Sequence, residues 1–325
     1  MSSVLVTGAS GFVGKRVCFA LSRLNYQVRN VYNTSKQSSL IDSYICFVDR
    51  FDGETNWLES LQGIESVVHL AARTHLGRKV NRHALAELRT INVDSTLNLA
   101  RQAAESGVRR FIFISSIKVN GETTTMRPPF VESDEPRPND YYARSKFEAE
   151  QGIMEIALRT GMEVVIIRPP LVYGPGVKAN LFRLLQWVDM GLPLPFGAIE
   201  NRRSLVYVDN LVDLIIHCLG HPQAVNRVCL VSDGKDLSTT QLLRMMAAAL
   251  ERTSCLIPVP QNMLESGLKM IGKGDLAQRL CGSLQVDTQG TQKLLNWKPP
   301  FNIEYGLKQT ALWFQELKTG ARKDI

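Results

Sequence analysis

The feature that most constrains the fold is a run of glycines directly after the first apolar stretch. Val4-Leu5-Val6 leads into Thr7-Gly8-Ala9-Ser10-Gly11-Phe12-Val13-Gly14, in which the glycines are spaced G-x-x-G-x-x-G. The residues that follow place Val17, Leu21 and Leu24 on one helical face. Because glycine allows a tight turn and bares backbone N–H groups at a helix N-terminus, this segment predicts a site for a dinucleotide pyrophosphate.

Short apolar runs recur through the first half of the chain and alternate with helical patterns. We predict buried strands at 4–6, 27–32, 45–48, 67–71, 111–114 and 164–167, and a helix at 97–106. Runs that are apolar on both faces are typical of a parallel sheet covered by helices on each side. The predicted fold class is therefore α/β, with a doubly wound parallel sheet.

The sequence pattern changes after Arg168, where turn-forming residues become frequent. Turn-forming residues at 168–176 precede short strands predicted at 205–208, 227–231 and, as an edge strand, 256–260. We predict a dinucleotide-binding domain over 1–170, to which later segments return, and a smaller substrate-binding lobe over 171–325.

Composition argues against several classes of protein. With 44% hydrophobic residues in 325, the chain can build a large core, yet no apolar run approaches the roughly 20 residues of a membrane span. The net charge of +7 is spread along the chain, which disfavours nucleic-acid binding and suits an anionic ligand. Six scattered cysteines without a CxxC pair predict free thiols and no metal site. The N-terminus lacks the features of a signal peptide, so we expect a cytoplasmic protein.

The cofactor is predicted as NAD(H) or NADP(H). An acid at the end of strand two would hold the ribose 2′-hydroxyl of NAD(H), but residues 30–33 read Asn-Val-Tyr-Asn. Arg16, Arg29 and Lys36 lie nearby in sequence. They would suit the 2′-phosphate of NADP(H), or they are solvated surface charges.

Strands three and four offer further candidate contacts. Asp49 could accept a hydrogen bond from the adenine amino group, or it could cap the next helix. Leu70-Ala71-Ala72 would let a cofactor approach the backbone. His69, inside strand four, is predicted as a hydrogen-bonded core histidine rather than a catalyst.

A tyrosine and a lysine four residues apart lie at the centre of the predicted chemistry. Tyr142 and Lys146 follow Asp140 and share one helical face. Because a neighbouring ammonium favours the phenolate, we expect Lys146 to lower the pKa of Tyr142 toward neutral. Strand five ends in Ser115-Ser116, which supplies a hydroxyl for the same substrate oxygen. With the glycine turn, this order of motifs predicts an enzyme that transfers hydride.

These motifs resemble the extended branch of the short-chain dehydrogenase/reductase family, which includes UDP-glucose 4-epimerases. The resemblance implies a Rossmann fold, a homodimer, and catalysis by Ser116, Tyr142 and Lys146. Asp49 would contact adenine, and Asn92 matches a helix asparagine near the active site. The cofactor contacts that the resemblance implies are Gly8, Gly11, Phe12, Val13, Gly14, Asp49, Arg50, Leu70, Ala71, Ala72, Asn92, Ser115, Tyr142, Lys146 and Pro169.

Segments 113–121, 163–180 and 201–206 are most similar to UDP-N-acetylquinovosamine dehydrogenases, also described as UDP-4-keto-6-deoxy-sugar reductases of bacterial polysaccharide loci. That resemblance implies a UDP-sugar substrate and a product for O-antigen or capsule assembly. It places Asn180 and Leu181 on the UDP-sugar, Phe196 near uracil and Arg203 near the diphosphate.

Three positions depart from the epimerases of this branch. Lys118 replaces threonine or a small residue, Asn120 replaces tyrosine, and Leu171 replaces asparagine. Lys118 either binds anionic groups of the substrate or is simply a lysine leaving the strand. Because these positions border the sugar pocket, we favour a reductase of the C4 ketone of a UDP-2-acetamido-2,6-dideoxy-hexulose, with Tyr142 as proton donor. A UDP-sugar 4-epimerase is the alternative, and the Tyr–Lys pair disfavours a non-catalytic dinucleotide sensor.

Overall fold

A computed structural model describes residues 2–33, 44–48, 50–74 and 81–320. The strands are β1 (Ser3–Thr7), β2 (Gln27–Asn33), β3 (Tyr44–Val48), β4 (Ser66–His69), β5 (Arg110–Ile114), β6 (Glu163–Arg168), β7 (Leu171–Tyr173), β8 (Leu205–Tyr207) and β9 (Arg227–Leu230). Seven of them form a parallel sheet in the order β3-β2-β1-β4-β5-β6-β9, and β7 pairs with β8 separately. The doubly wound α/β fold is thereby confirmed.

Helices cover both faces of the sheet. The helices of the described chain are α1 (Phe12–Arg23), α2 (Leu58–Leu61), α3 (Arg82–Arg89), α4 (Ser95–Glu105), α5 (Tyr141–Thr160), α6 (Ala179–Asp189), α7 (Val208–Gly220), α8 (Thr239–Ala249), α9 (Gln261–Met270), α10 (Gly274–Cys281), α11 (Gln289–Leu295) and α12 (Ile303–Lys318). A π-helical segment, Thr90–Asp94, joins α3 to α4, and a 3-10 turn, Ile117–Val119, follows β5.

Two apolar clusters separate along each strand because successive side chains point to opposite faces. On β1, Val4 packs into the cluster that includes α1 and α7, whereas Leu5 packs into the cluster that includes α4 and α5. Both side chains are completely buried. This two-sided burial explains why the predicted strands lack polar alternation.

The second half of the chain contributes both to the sheet and to a separate group of helices. The predicted strand at 227–231 is β9, which pairs with β6 at the sheet edge. The predicted edge strand at 256–260 forms single bridges, from Leu256 to Leu194 and from Pro260 to Ala198. The predicted strand at 67–71 is β4, which ends at His69, so Leu70 and Ala71 follow the strand. Within the described residues, no helix has the length and hydropathy needed to cross a bilayer.

Candidate active site

The predicted glycine turn joins β1 to α1, and its glycines are required by close backbone approach. Gly8 has φ of +70°, and a Cβ there would lie 2.8 Å from the backbone nitrogen of Ala71. A Cβ on Gly14 would lie 2.1 Å from the carbonyl oxygen of Gly8. The turn, the end of β4 and the start of α1 are therefore packed with no room for side chains.

This turn has the geometry of an anion site. The strand order reverses beside β1, between β1 and β4, which is where ligands bind in doubly wound sheets. Gly11 caps α1 without a side-chain acceptor, so the first turn of that helix keeps its N–H groups for a ligand. Phe12 flanks the turn, and its ring lies 3.4 Å from the position of a Cβ on Gly176. The residues fit the pyrophosphate of a dinucleotide.

Two of the three basic residues that suggested NADP(H) are engaged elsewhere. Arg16 forms a bidentate ion pair with Asp209, with Nη2 2.5 Å from Oδ2. Arg29 donates to the backbone carbonyls of Ser60 and Gln62, at 2.8 and 3.0 Å. Because these donors serve the fold, the interpretation of the two arginines as 2′-phosphate ligands is disfavoured.

The predicted adenine-side contacts are only partly described. Lys36 and Asp49 lie outside the described residues. Arg50 is exposed, and its carbonyl accepts a hydrogen bond from the Thr55 hydroxyl at 2.8 Å. The amide of Ala71 is 3.3 Å from the Thr7 hydroxyl, which ties the end of β4 to the end of β1.

Lys146 is buried at the carboxyl end of the sheet. Its ammonium lies 4.2 Å from the centroid of the Phe113 ring on β5, a cation–π contact. Burial lowers the pKa of Lys146 to about 7, against the nearby charge of Glu150, which raises it. A lysine in this state can exchange its proton near neutral pH.

The expected lowering of the pKa of Tyr142 is contradicted. Tyr142 is the second residue of α5, and burial, with the negative charge of Asp140, raises its pKa instead. The physical reason is that the phenolate loses its hydration, while Lys146 loses part of its own charge by burial. In the protein alone, Tyr142 is a neutral phenol at physiological pH and can donate a proton.

The serine pair lies where β5 ends. The Ser115 hydroxyl is buried and has no hydrogen-bond partner within the described part of the chain, so it is open to a ligand. Ser116 is half-buried and begins the 3-10 turn, where its Oγ accepts from the amide of Lys118 at 3.3 Å. The Pro169 carbonyl accepts from the amide of Ile117, which holds this turn against the end of β6.

His69 and Asn92 are buried beside the site and have hydrogen-bond partners within the protein. The ring of His69 lies between the hydroxyls of Thr7 and Thr96, at 2.6 and 2.8 Å. Burial, with the charge of Lys146, lowers its pKa to about 3, so it stays neutral. The amide of Asn92 bonds to the backbone of Arg73 and to the Ser145 hydroxyl. Asn92 therefore ties the segment after β4 to the first turns of α5.

Lys118 and Asn120, two of the three unusual residues, have partners inside the protein. The Lys118 ammonium lies 2.5 Å from Oδ2 of Asp140, the residue that caps α5. Asn120 accepts from the buried guanidinium of Arg168 at 2.9 Å, and Arg168 also pairs with Glu150. Sequence reasoning missed both contacts. The third residue, Leu171, is exposed on β7.

The residues predicted to contact the UDP-sugar differ in their exposure. Asn180 is exposed at the start of α6, after Ala179 in a left-handed conformation with φ of +56°. Leu181 and Phe196 are buried, at 3% and 7% exposure, and belong to the apolar core. Their side chains face that core, and the Phe196 carbonyl accepts a hydrogen bond from the Thr240 hydroxyl at 2.6 Å.

A pair of arginines gives the second half of the site its charge. The guanidinium of Arg203 donates to the carbonyl of Gly282 at 2.9 Å, beside α10. Burial, with the positive charge of Arg279 on that helix, lowers the pKa of Arg203. Neither arginine forms an ion pair within the ranges that the structure covers. Two guanidiniums that interact electrostatically and form no ion pair in the described structure suit a diphosphate. Arg279 was not predicted, because it lies 76 positions beyond Arg203.

All six cysteines lie in described segments and are free thiols, as predicted. No group of three or more potential metal ligands occurs among the described residues.

Comparison with known proteins identifies the family of the chain. Residues 4–231 match the model of the NAD dependent epimerase/dehydratase family. A UDP-glucose 4-epimerase of Vibrio cholerae is 45% identical over 96% of this chain and 95% of its own length. An Escherichia coli O157:H7 epimerase of N-acetyl-α-D-glucosaminyl-diphospho-ditrans,octacis-undecaprenol is 27% identical, covering 95% of this chain and 94% of its own.

The fold agrees with these matches. The crystal structure of a UDP-glucuronic acid 4-epimerase from Bacillus cereus in complex with NAD superposes with a TM-score of 0.78. The alignment covers 97% of this chain and 99% of that chain, at 21% identity. The prediction of a nicotinamide dinucleotide is confirmed by the family. The chain belongs to the NAD-dependent epimerase/dehydratase family.

Proposed function

We propose that this protein is a UDP-sugar 4-epimerase that uses NAD(H), with UDP-glucose and UDP-galactose as the first substrates to test. The observation that carries the proposal is the likeness over almost the whole chain to a relative named as a UDP-glucose 4-epimerase. NAD(H) is favoured over NADP(H) because Arg16 and Arg29 are held by Asp209 and by backbone carbonyls.

The proposed reaction centres on the sugar C4. NAD, when bound at the glycine turn, supplies reversible hydride exchange. As the phenolate, which the positive charges of bound NAD and of Lys146 would favour over the neutral phenol of the protein alone, Tyr142 takes the proton from the 4-hydroxyl and later returns it, and Ser116 donates a hydrogen bond to the same oxygen. Lys146 orients the ligand and stabilises the phenolate while it exists. Arg203 and Arg279 hold the diphosphate.

The reductase hypothesis loses much of its support. It relied on Lys118 and Asn120 altering the sugar pocket, yet these residues bind Asp140 and Arg168. What still favours it is the likeness of segments 113–121 and 163–180 to 4-ketoreductases. We keep reduction of a UDP-4-keto-6-deoxy-N-acetylhexosamine as the second candidate, and a homodimer stays a prediction.

Purified protein should interconvert UDP-galactose and UDP-glucose without added reductant, which NMR of the sugar anomeric protons would follow. UDP-N-acetylglucosamine should be tested in parallel. Tyr142→Phe removes the hydroxyl that carries the proton, so kcat should fall by roughly 10²–10⁴-fold while NAD stays bound.

The opposing result is equally clear. Stoichiometric oxidation of added NADH by the 4-keto sugar, with no interconversion of any UDP-hexose pair, would overturn the epimerase and favour the reductase. Full activity of Tyr142→Phe would show that the Tyr142 hydroxyl does not transfer the proton.

A further inference from the structure

An ion pair joins the two segments that carry the candidate reacting groups. Lys118 lies in the 3-10 turn that begins directly after Ser116, and Asp140 caps α5 two residues before Tyr142. Their charged atoms are 2.5 Å apart, and each side chain is about one third exposed, at 36% and 34%. The pair is therefore partly exposed to solvent rather than buried in the core.

Asp140 uses its two carboxylate oxygens for two different tasks. Oδ1 accepts from the amide of Ala143 at 2.6 Å, which caps the first turn of α5. Oδ2 accepts from the Lys118 ammonium. The same negative charge lies close enough to Tyr142 to oppose loss of its proton. A cation on Oδ2 offsets that effect.

The other charged side chains around this turn point to different partners. Those partners, all within the described residues, are as follows: Arg144 donates to the Pro138 carbonyl, Arg137 pairs with Glu135, Arg89 pairs with Asp94 and Glu148, Arg73 pairs with Glu87, Arg168 pairs with Glu150, and Lys146 lies over Phe113. Lys118 is thus the cation that the structure places on Asp140.

We propose that Lys118 is a positioning residue: by pairing with Asp140 it holds the first turn of α5 against the Ser116 turn and compensates the carboxylate beside the Tyr142 phenol. The proposal rests on the proposed function, since it assigns Lys118 an influence on the proton transfer at Tyr142. It differs from the alternative in which Lys118 contacts an anionic group of the substrate.

The pH dependence of kcat tests it. In Lys118→Met, the uncompensated carboxylate should move the ascending limb of the profile to higher pH by roughly half to one unit. That shift corresponds to a fall in kcat of about three- to tenfold at pH 7, with KM for the UDP-sugar nearly unchanged. Lys118→Arg should restore most of kcat because it keeps the ion pair.

The double variant Lys118→Met/Asp140→Asn isolates the charge. Asparagine caps a helix about as well as aspartate, so the fold of α5 is kept while the negative charge is removed. In this double variant, the ascending limb of the kcat–pH profile should return toward its original pH. Lys235→Met is the matched control, because Lys235 pairs with Glu304 on the surface outside the site. It should leave the profile unchanged.

A second readout does not need turnover. Ultraviolet difference absorbance of the NAD-bound protein, with Tyr142→Phe subtracted, reports ionisation of the Tyr142 phenol. Its midpoint should rise in Lys118→Met even if UDP-hexoses prove not to be substrates, which separates this proposal from the proposed function. An unmoved midpoint, or a raised KM that Asp140→Asn does not correct, would overturn it.

Discussion

Lys146 shows how a single residue sets function against stability. Its side chain is 1% exposed, among the largest buried side chains of the protein, and its charge is met chiefly by an aromatic ring. A buried ammonium is costly because it loses its hydration. The site keeps the lysine because a proton that leaves near neutral pH is useful for chemistry at Tyr142.

This conflict predicts a pH-dependent gain in stability from Lys146→Met. The unfolded chain holds the lysine proton up to about pH 10.4, whereas the folded chain releases it near pH 7. The unfolded state therefore binds more protons in that window, so stability rises with pH across it, and the penalty is complete below pH 7. Methionine avoids that penalty.

We expect Lys146→Met to raise the free energy of unfolding of the cofactor-free protein by about 2–4 kcal/mol at pH 7. The gain should shrink as the pH approaches 10, and activity should be lost. Urea denaturation at pH 6, 7 and 9 measures this. A variant that is less stable at every pH would show that the lysine is stabilised in the fold.

At the scale of the element, the β1–α1 turn is the most constrained part of the site. Three glycines let the turn, the end of β4 and the first turn of α1 meet backbone to backbone. The constraint comes from the approach of Gly14 to Gly8 as well as from any ligand. The same atoms therefore serve the fold and the candidate cofactor site.

Gly14→Ala should weaken both the stability of the fold and the binding of NAD. The new Cβ would meet the Gly8 carbonyl at 2.1 Å and the Ala9 Cα at 2.9 Å, and backbone atoms cannot move aside without opening the turn. We expect a loss of about 1–3 kcal/mol in stability and at least tenfold weaker NAD binding. Thermal denaturation and quenching of protein fluorescence by NAD would measure these.

The matched control is Gly267→Ala in α9. No atom lies within 4 Å of a Cβ at that position, so alanine should stabilise the helix by about 1 kcal/mol and leave NAD binding unchanged. Equal damage from both substitutions would mean that the contact with Gly8 is not the cause.

At the scale of the whole molecule, the candidate site is divided between the two halves of the chain. The glycine turn, Ser116 and Tyr142 lie along the carboxyl edge of the sheet, whereas Arg203 and Arg279 belong to the second half. Strand β9 also comes from the second half and completes the sheet. A UDP-sugar would have to bridge both parts.

Arg279→Gln should therefore act on substrate binding alone. Loss of one guanidinium beside a diphosphate is expected to raise KM for the UDP-sugar about tenfold, with kcat and NAD affinity nearly unchanged. Arg101→Gln is the control, since Arg101 is an exposed arginine on α4, outside the candidate site, that forms no ion pair in the described structure. A KM that stays constant in Arg279→Gln would show that Arg279 does not bind the substrate.

The sequence predicted what depends on local spacing and missed what depends on tertiary contact. The glycine turn, eight strands and the Tyr142–Lys146 pair are each encoded within a few residues. The Lys118–Asp140 ion pair and the electrostatic interaction of Arg203 with Arg279 join residues 22 and 76 positions apart, so no local pattern reveals them. The pKa of Tyr142 was predicted in the wrong direction because helical spacing carries no information about burial.

The π-helical segment between α3 and α4 has a consequence for changes in chain length. Thr90–Asp94 accommodates one more residue per turn than an α-helix does, and Asn92 within it reaches Arg73 on one side and Ser145 on the other. Deleting one residue would restore α-helical winding and rotate Asn92 by about 100° relative to α4. Arg73 and Ser145 would then lose the Asn92 side chain that hydrogen-bonds to both. The chain should therefore accept many substitutions on the outer face of this segment but no insertion or deletion within it.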